Sequence, residues 1–135
     1  MKNFLNIIIP SVFFFVIFIF GCDDTVTNND INNIQIPDSD VSYSQYIQPV
    51  FNVKCNNSGC HNSADRAGGL SLESWAGTTA NALVVFPGEP GNSQLVWAVK
   101  GISGAEPMPP VGYPPMTINQ IEGIETWIAE GAKSN

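Results

Sequence analysis

The sequence of 135 residues is poor in metal ligands and nucleophile partners, with one histidine and three cysteines. A structural zinc site needs four ligands, usually thiolates and imidazoles. Cys55, Cys60 and His61 are the candidates left once Cys22 is assigned to the N-terminal signal described below, and two of them are adjacent. A catalytic cysteine nucleophile requires a histidine that another part of the fold brings to the thiol. The composition therefore argues against zinc, against cysteine catalysis and against a Ser-His-Asp triad that does not use His61.

Basic residues are also scarce, with 5 Lys and Arg against 12 Asp and Glu and a formal net charge of −7. A nucleic-acid partner requires a basic patch. Beyond Lys2 the chain offers only Lys54, Arg66, Lys100 and Lys133, which are scattered. This excludes nucleic-acid binding, and an acidic surface would attract a basic protein partner.

The N-terminus has the pattern of an export signal. Lys2 precedes an apolar stretch over residues 4–20 that is broken only by Asn6, Pro10 and Ser11. Such a stretch is typical of a secretory signal, although about 17 residues is also near the lower limit of a membrane-spanning helix. An uncleaved membrane anchor therefore remains an alternative.

The end of this stretch, Ile19-Phe20-Gly21-Cys22, resembles the lipobox of bacterial lipoproteins. The resemblance implies a signal peptide over residues 1–21, cleavage before Cys22, and lipidation of Cys22. The protein would then be exported and lipid-anchored, on the periplasmic or outer-surface side of a bacterial membrane. Cysteines exported to such a compartment can hold disulfides or thioethers.

Residues 22–41 are rich in Asn and Asp, have no aromatic residue and contain only isolated Val and Ile. Such a segment is not expected to bury enough apolar surface to order itself. We therefore predict a flexible tether, with a span of roughly 25 Å for about 18 residues.

The folded domain is predicted over residues 42–135 and is all-α. Apolar side chains recur at helical spacing after Ser42, and Ser42 or Ser44 can cap this first helix. Pro49 should lie in its first turn or bend it. Residues 83–86 form a short apolar run that we predict to be extended. A short helix follows, which Ser93 or Asn92 can cap, and it ends at Gly101. Residues 106–116 contain five prolines and cannot be helical. Thr117 and Gln120 form a capping box that opens the last helix.

Cys55, Cys60 and His61 form a Cys-x4-Cys-His sequence. A disulfide between the two cysteines would close a very short loop, contribute little by the loop-length argument, and leave His61 without a role. The related sequence Cys-x-x-Cys-His is typical of c-type haem attachment. There two thiols add across the two vinyl groups of the porphyrin, and the imidazole that follows the second thiol meets the iron.

The wider sequence resembles the small c-type cytochrome domains of bacterial exported proteins. Five motifs carry the resemblance, and they occur in the same order as in that family. They are Ile47 to Cys60-His61, Gly68-Gly69-Leu70, Pro87-Gly88-Glu89-Pro90 with Ser93 and Leu95, Met108-Pro109-Pro110, and Trp127-Ile128-Ala129-Glu130-Gly131-Ala132. They cover nearly the whole predicted domain. The departure is the four-residue spacer between the cysteines, which is two residues longer than usual.

The resemblance implies a cytochrome c-like fold around one covalent haem c. Cys55 and Cys60 would form the thioethers and His61 the proximal axial ligand. Met108 matches the position of the distal ligand, with Met116 as the second choice. Such a protein transfers single electrons between redox proteins of the membrane or periplasm, and is not an enzyme with a small-molecule substrate.

The sequence is also compatible with two other functions. With an open sixth iron position, the domain would be a five-coordinate haem enzyme or a peroxide- or gas-reactive haem protein. Without haem, it would be an accessory lipoprotein closed by a disulfide between Cys55 and Cys60.

Overall fold

The computed structural model of the protein describes residues 25–135, and within this range it contains helices, turns and no β-strand. This confirms the predicted all-α class. Five α-helices follow one another along the chain: α1 (Asn28–Asn33), α2 (Gln48–Lys54), α3 (Trp75–Thr78), α4 (Gln94–Lys100) and α5 (Ile118–Ala129). A π-helical turn, Tyr43–Ile47, leads directly into α2, and 3₁₀ turns occupy Ala67–Gly69 and Pro90–Asn92.

The π-helical turn explains how Pro49 is accommodated. Ser42 caps this turn, as predicted, by accepting a hydrogen bond from the Gln45 N–H. The Gln48 N–H then reaches back to the Tyr43 carbonyl. Pro49 follows within the first turn of α2, where a residue without an N–H group costs little. The prediction of a first-turn proline is therefore confirmed.

The core forms where α5 packs beside α2 and its π-helical turn. The capping box of Thr117 and Gln120 is present at the start of α5. Trp127 on α5 and Phe51 on α2 are both fully buried. The ring of Tyr43 contacts both, with centroid distances of 5.1 Å to Trp127 and 6.4 Å to Phe51. Three aromatic rings thus join the first and last long helical segments of the domain.

Residues 27–41, which we call the strap, differ from the prediction of a flexible tether over residues 22–41. Thr27 and Asp30 form a capping box that opens α1. Ile31, Ile36 and Val41 are all buried in the core. The isolated apolar residues of the strap each enter the core separately, because the polar residues between them can remain in water. The folded domain therefore begins near residue 27 rather than residue 42.

Side chains of α5 and of its C-cap residue form hydrogen bonds with backbone groups of the strap. Asn119 accepts from the Ile36 N–H at 2.8 Å and donates to the Ile36 carbonyl at 2.9 Å. Gln120 donates to the Ile31 carbonyl at 3.1 Å. The Glu130 carboxylate accepts from two further strap N–H groups, those of residues 40 and 41. These bonds meet the requirement that buried backbone polar groups be paired.

The segment between α3 and α4 also differs in part from the prediction. Residues 83–86 form a turn rather than an extended segment, because the N–H groups of Val84 and Val85 both bond to the Asn81 carbonyl. The short helix α4 is confirmed, and Gly101 ends it with φ +64°. The Ser93 hydroxyl does not cap α4; it accepts from the Phe86 N–H and donates to the Glu89 carbonyl.

The predicted signal peptide, residues 1–21, and the predicted lipidation site Cys22 lie outside the described residues. Over residues 25–135, no helix has the length and apolar character needed to cross a membrane.

We predict that Gly123→Ala destabilises the protein through the strap. A Cβ atom at Gly123 would lie 2.6 Å from Cγ2 and 2.8 Å from Cδ1 of Ile36. Overpacking of this kind costs about 1–3 kcal/mol, which outweighs the helix-propensity gain of about 1 kcal/mol for alanine over glycine. Equilibrium denaturant unfolding measures the net change.

The control is the same substitution in an Ile36→Ala background, where both clashing atoms are removed. There Gly123→Ala should be much less destabilising, because only the 3.1 Å contact with the Cβ of residue 36 remains, and the double-mutant cycle isolates the contact. An equal loss of stability in both backgrounds would contradict the assignment of the strap to this site.

Candidate functional site

The candidate site begins where α2 ends. Cys55 is the C-cap residue of α2, and its N–H bonds to the Phe51 carbonyl at 2.9 Å. The chain then turns, and the His61 N–H reaches back to the Cys55 carbonyl at 3.0 Å. Gly59, at φ +79°, supplies a left-handed residue that this reversal needs. The four-residue spacer therefore folds as a compact loop that keeps Cys55, Cys60 and His61 together.

The Asp65 side chain holds this loop by accepting two hydrogen bonds. Its Oδ2 accepts from the Gly59 N–H at 2.7 Å and from the Asn62 side chain at 2.7 Å. The Asn62 side-chain bond, with the Gly59 backbone bond, holds the pKa of the Asp65 carboxyl below its ordinary value of 3.8. Its role in holding the loop is not evident from the sequence, although an Asp among Asn, Ser and Gly is a common turn signal.

The imidazole of His61 has one fixed tautomer. Its Nδ1 lies 3.0 Å from the Ala67 carbonyl oxygen, and a carbonyl can only accept, so Nδ1 carries the proton. In the neutral imidazole, Nε2 then keeps its lone pair, as a metal-binding imidazole requires. The backbone on both sides is held as well, since the Ala67 N–H bonds to the Cys60 carbonyl and the Leu72 N–H to the His61 carbonyl.

A cavity of about 450 Å³ opens beside this imidazole. It lies between the loop that carries His61, the helix α4 and the segment that leads to Met108. Its wall is mainly apolar and is formed by Cys55, His61, Ala67, Gly68, Leu70, Leu72, Val84, Gln94, Leu95, Trp97, Ala98, Val99, Ser103, Gly104, Ala105, Glu106 and Met108. Its volume lies within the range of small-molecule and cofactor sites, about 300–1,000 Å³.

A smaller cavity of about 110 Å³ shares the Cys55, His61, Ala67 and Met108 walls of the larger one. It adds Cys60 to the lining, together with the two prolines that follow Met108. The structure thus places both cysteines, the histidine and Met108 around two cavities that share part of their walls. Met116 lines neither cavity and instead packs against the core. The ligand role of Met108 stays a prediction, but the two methionines have different surroundings.

Both thiols, Cys55 and Cys60, are free. Burial and, to a smaller extent, the neighbouring Cys60 together raise the pKa of Cys55 to about 12, while Lys54 opposes the shift. A thiol with so high a pKa is protonated near neutral pH and is a poor catalytic nucleophile. In residues 25–135, no cluster of three or more His, Cys, Asp or Glu side chains is placed to hold a bare metal ion.

Two hydrogen bonds hold the segment that carries Met108. The Met108 N–H bonds to the Ala98 carbonyl of α4 at 2.9 Å. The Lys54 ammonium donates to the Pro115 carbonyl at 2.9 Å, although Lys54 is only 5 % exposed. Burial also lowers the pKa of Lys54. The last residue of α2 therefore ties the proline-rich segment to the helix that ends at the first cysteine.

The buried position of Lys54 was not predicted, although the sequence contains a signal for it. Lys54 follows Ile47, Val50 and Phe51 at spacings of seven, four and three residues, which places it on the buried face of the helical segment. A lysine on an apolar face is a candidate for a buried hydrogen bond to a backbone carbonyl.

Comparison with known proteins points to the same part of the chain. A family model described as Planctomycete cytochrome C matches residues 58–112. The matched range contains Cys60, His61 and Met108, whereas Cys55 lies just before it. No curated protein and no solved structure was found to be similar. The family match, with the helical fold, supports a haem-binding, cytochrome c-like domain.

We predict that the amide of Gly59 reports the ionisation of Asp65. Because the pKa of Asp65 is lowered on folding, its hydrogen bonds stabilise the loop above pH 3.8, and that contribution is lost as the pH falls through the lower, folded-state value. An NMR titration of the Gly59 amide shift should therefore show a midpoint below 3.8.

The matched variant is Asp65→Asn, which should remove this titration and speed exchange of the Gly59 amide proton with solvent. A Gly59 titration that persists in Asp65→Asn would show that another group holds the loop.

Proposed function

We propose that the protein is a mono-haem c-type cytochrome that carries single electrons between redox proteins of the membrane or periplasm, without acting on a small-molecule substrate. The observation that carries the proposal is the placement of Cys55, Cys60, His61 and Met108 around two cavities that share the walls formed by Cys55, His61, Ala67 and Met108. The family match to Planctomycete cytochrome C supports the class of cofactor.

The residues present fit a haem. Two free thiols line the smaller cavity, where each could form a thioether with a vinyl group. The tautomer of His61 leaves Nε2 available for iron. The lining is largely aliphatic, with Trp97 beside it. An apolar, water-poor wall is one of the protein's means of setting a haem potential.

Each chain residue would have a distinct part in holding the cofactor. Cys55 and Cys60 would hold haem c covalently, and His61 would be the proximal ligand. Met108 would be the distal ligand, and a methionine in that position raises the reduction potential. When bound, the haem supplies the one-electron couple, while the chain positions it and excludes water.

Electron transfer is favoured over enzyme chemistry by the placement of Met108. Its side chain lines the same walls as His61, and its backbone is bonded to α4. A sixth ligand held in this way would close the iron to peroxide or gas. The five-coordinate alternative has no comparable support.

The membrane location rests on the sequence. The lipobox-like Ile19 to Cys22 supports export, removal of residues 1–21 and lipid attachment at Cys22. We infer that the domain works while lipid-anchored on the periplasmic or outer-surface side of a bacterial membrane.

Covalent attachment is tested by producing the protein in an exporting host with haem-maturation machinery. After denaturation, an intact mass and a pyridine haemochrome spectrum should show one haem bound through two saturated vinyl groups. Cys55→Ser and Cys60→Ser should each leave at most one thioether, with a spectrum shifted toward that of one free vinyl group. A mass equal to the bare chain less two hydrogens would show a disulfide and contradict the proposal.

The distal ligand is tested by comparing Met108→Ala with Met116→Ala. Met108→Ala should abolish the methionine-to-iron charge-transfer absorption and lower the reduction potential, because the thioether ligand is lost. Met116→Ala removes core packing of similar size but should keep both properties. Loss of the band in Met116→Ala alone would reverse the assignment.

A further inference from the structure

The N-terminal end of the strap lies beside the cysteine end of the site. Asn28 lines a third cavity, of about 310 Å³, together with Val53, Lys54, Asn57, Ser58, Tyr113 and Pro114. Lys54 and Tyr113 also line the small cavity that contains Cys60 and His61. The chain therefore enters the folded domain next to the loop between the two cysteines.

The strap is fastened along its length, so it cannot extend. Six hydrogen bonds from or to Asn119, Gln120 and Glu130 of α5 and its C-cap hold it. Between Cys22 and Thr27, where the strap begins, lie only five residue steps. These can span at most about 18 Å when fully extended. An attachment at or before Cys22 therefore keeps this end of the domain near the membrane surface.

The surface at this end suits contact with a lipid bilayer. Val26 is 54 % exposed, Tyr113 is 51 % exposed, and Val111 in the same turn is 101 % exposed. Tyrosine is favoured at membrane–water interfaces, where its ring can lie against the apolar layer and its hydroxyl in water. The residues that line the third cavity include no carboxylate, and the Lys54 ammonium among them is bonded to the Pro115 carbonyl.

We propose that this surface, defined by Val26, Asn28, Ser58, Val111 and Tyr113 and named the strap face, is directed at the lipid bilayer that anchors the chain. The proposal rests on the proposed function, since it takes the membrane attachment from the lipobox-like segment and the cofactor from the cysteine site. The orientation of the strap face adds to the proposed function the class of redox partner that can reach the site. Redox proteins embedded in or held at the same membrane reach the cysteine end of the site, whereas freely diffusing proteins are hindered there.

The test uses the full lipidated holoprotein in nanodiscs that contain a lipid with a Gd³⁺-chelating headgroup. Amide-proton relaxation is measured by NMR in the reduced state, in which low-spin iron is diamagnetic. The amides of Val26, Val111 and Tyr113 should relax several-fold faster than that of Trp75. Trp75 is the internal reference because its indole N–H bonds to the Ala132 carbonyl beyond the opposite end of α5, a helix of 12 residues and about 18 Å.

The matched variant carries a flexible 15-residue Gly/Ser insertion between Asp24 and Thr25. It lengthens the connection by roughly 20 Å without touching the strap. The relaxation contrast between Tyr113 and Trp75 should collapse in this variant. Equal relaxation of Tyr113 and Trp75 in the native chain would overturn the proposal and leave the strap face available to a protein partner. A contrast that the insertion does not reduce would support the orientation and would assign it to contact of the strap face itself with the bilayer rather than to the short connection.

A pyridine haemochrome spectrum of the same sample separates this outcome from failure of the proposed function. Bound haem without relaxation contrast contradicts the orientation alone. A sample without haem contradicts the cytochrome function, whereas the relaxation contrast still decides the orientation of the strap face.

Discussion

The return of His61 onto Cys55 is the constraint on which the rest of the site depends. One backbone hydrogen bond closes the loop between them, and the Ala67 carbonyl then selects the tautomer of the imidazole. The loop can close because Gly59 takes a left-handed conformation and because Asp65 accepts from its N–H. Without this closure the two thiols and the imidazole would not line the same space, and the apolar wall formed by α4 would have no reactive group beside it.

The loop is rigid only because α2 is held on the core. Phe51 is fully buried, and Tyr43 lies against both Phe51 and Trp127. α5 therefore fixes the position of the helix whose last residues are Lys54 and Cys55. The bond from Lys54 to the Pro115 carbonyl extends this support to the proline-rich segment. The attachment loop and the segment that carries Met108 are thus positioned by the same helix.

The strap shows how a polar segment becomes part of a core. Its buried Ile31, Ile36 and Val41 are five residues apart, which matches neither a helix nor a strand. Composition alone therefore indicates a flexible tether. The segment is ordered because Asn119, Gln120 and Glu130 satisfy its backbone groups and Gly123 leaves room for Ile36. None of these partners is near the strap in the sequence, so local pattern could not reveal them.

The sequence by itself determined the features that depend on neighbouring residues. These include the helical class, the caps at Ser42 and Thr117, the end of α4 at Gly101, and the candidate cofactor residues Cys55, Cys60, His61 and Met108. The helical class, the caps and the helix end follow from local backbone preference, and Cys55, Cys60 and His61 follow from motif spacing, whereas Met108 is implied by the resemblance to c-type cytochrome domains. The turn at residues 83–86 was missed because a short apolar run has no diagnostic period.

The tertiary structure alone decided what depends on distant contacts. It separated Met108, in the cavity wall, from Met116, in the core, and it buried Lys54 against a carbonyl 61 residues away. It also ordered the strap and placed its first residues beside the cysteine loop. These results depend on which surfaces meet when the helices pack, and such contacts cannot be inferred from the pattern of residues along the chain.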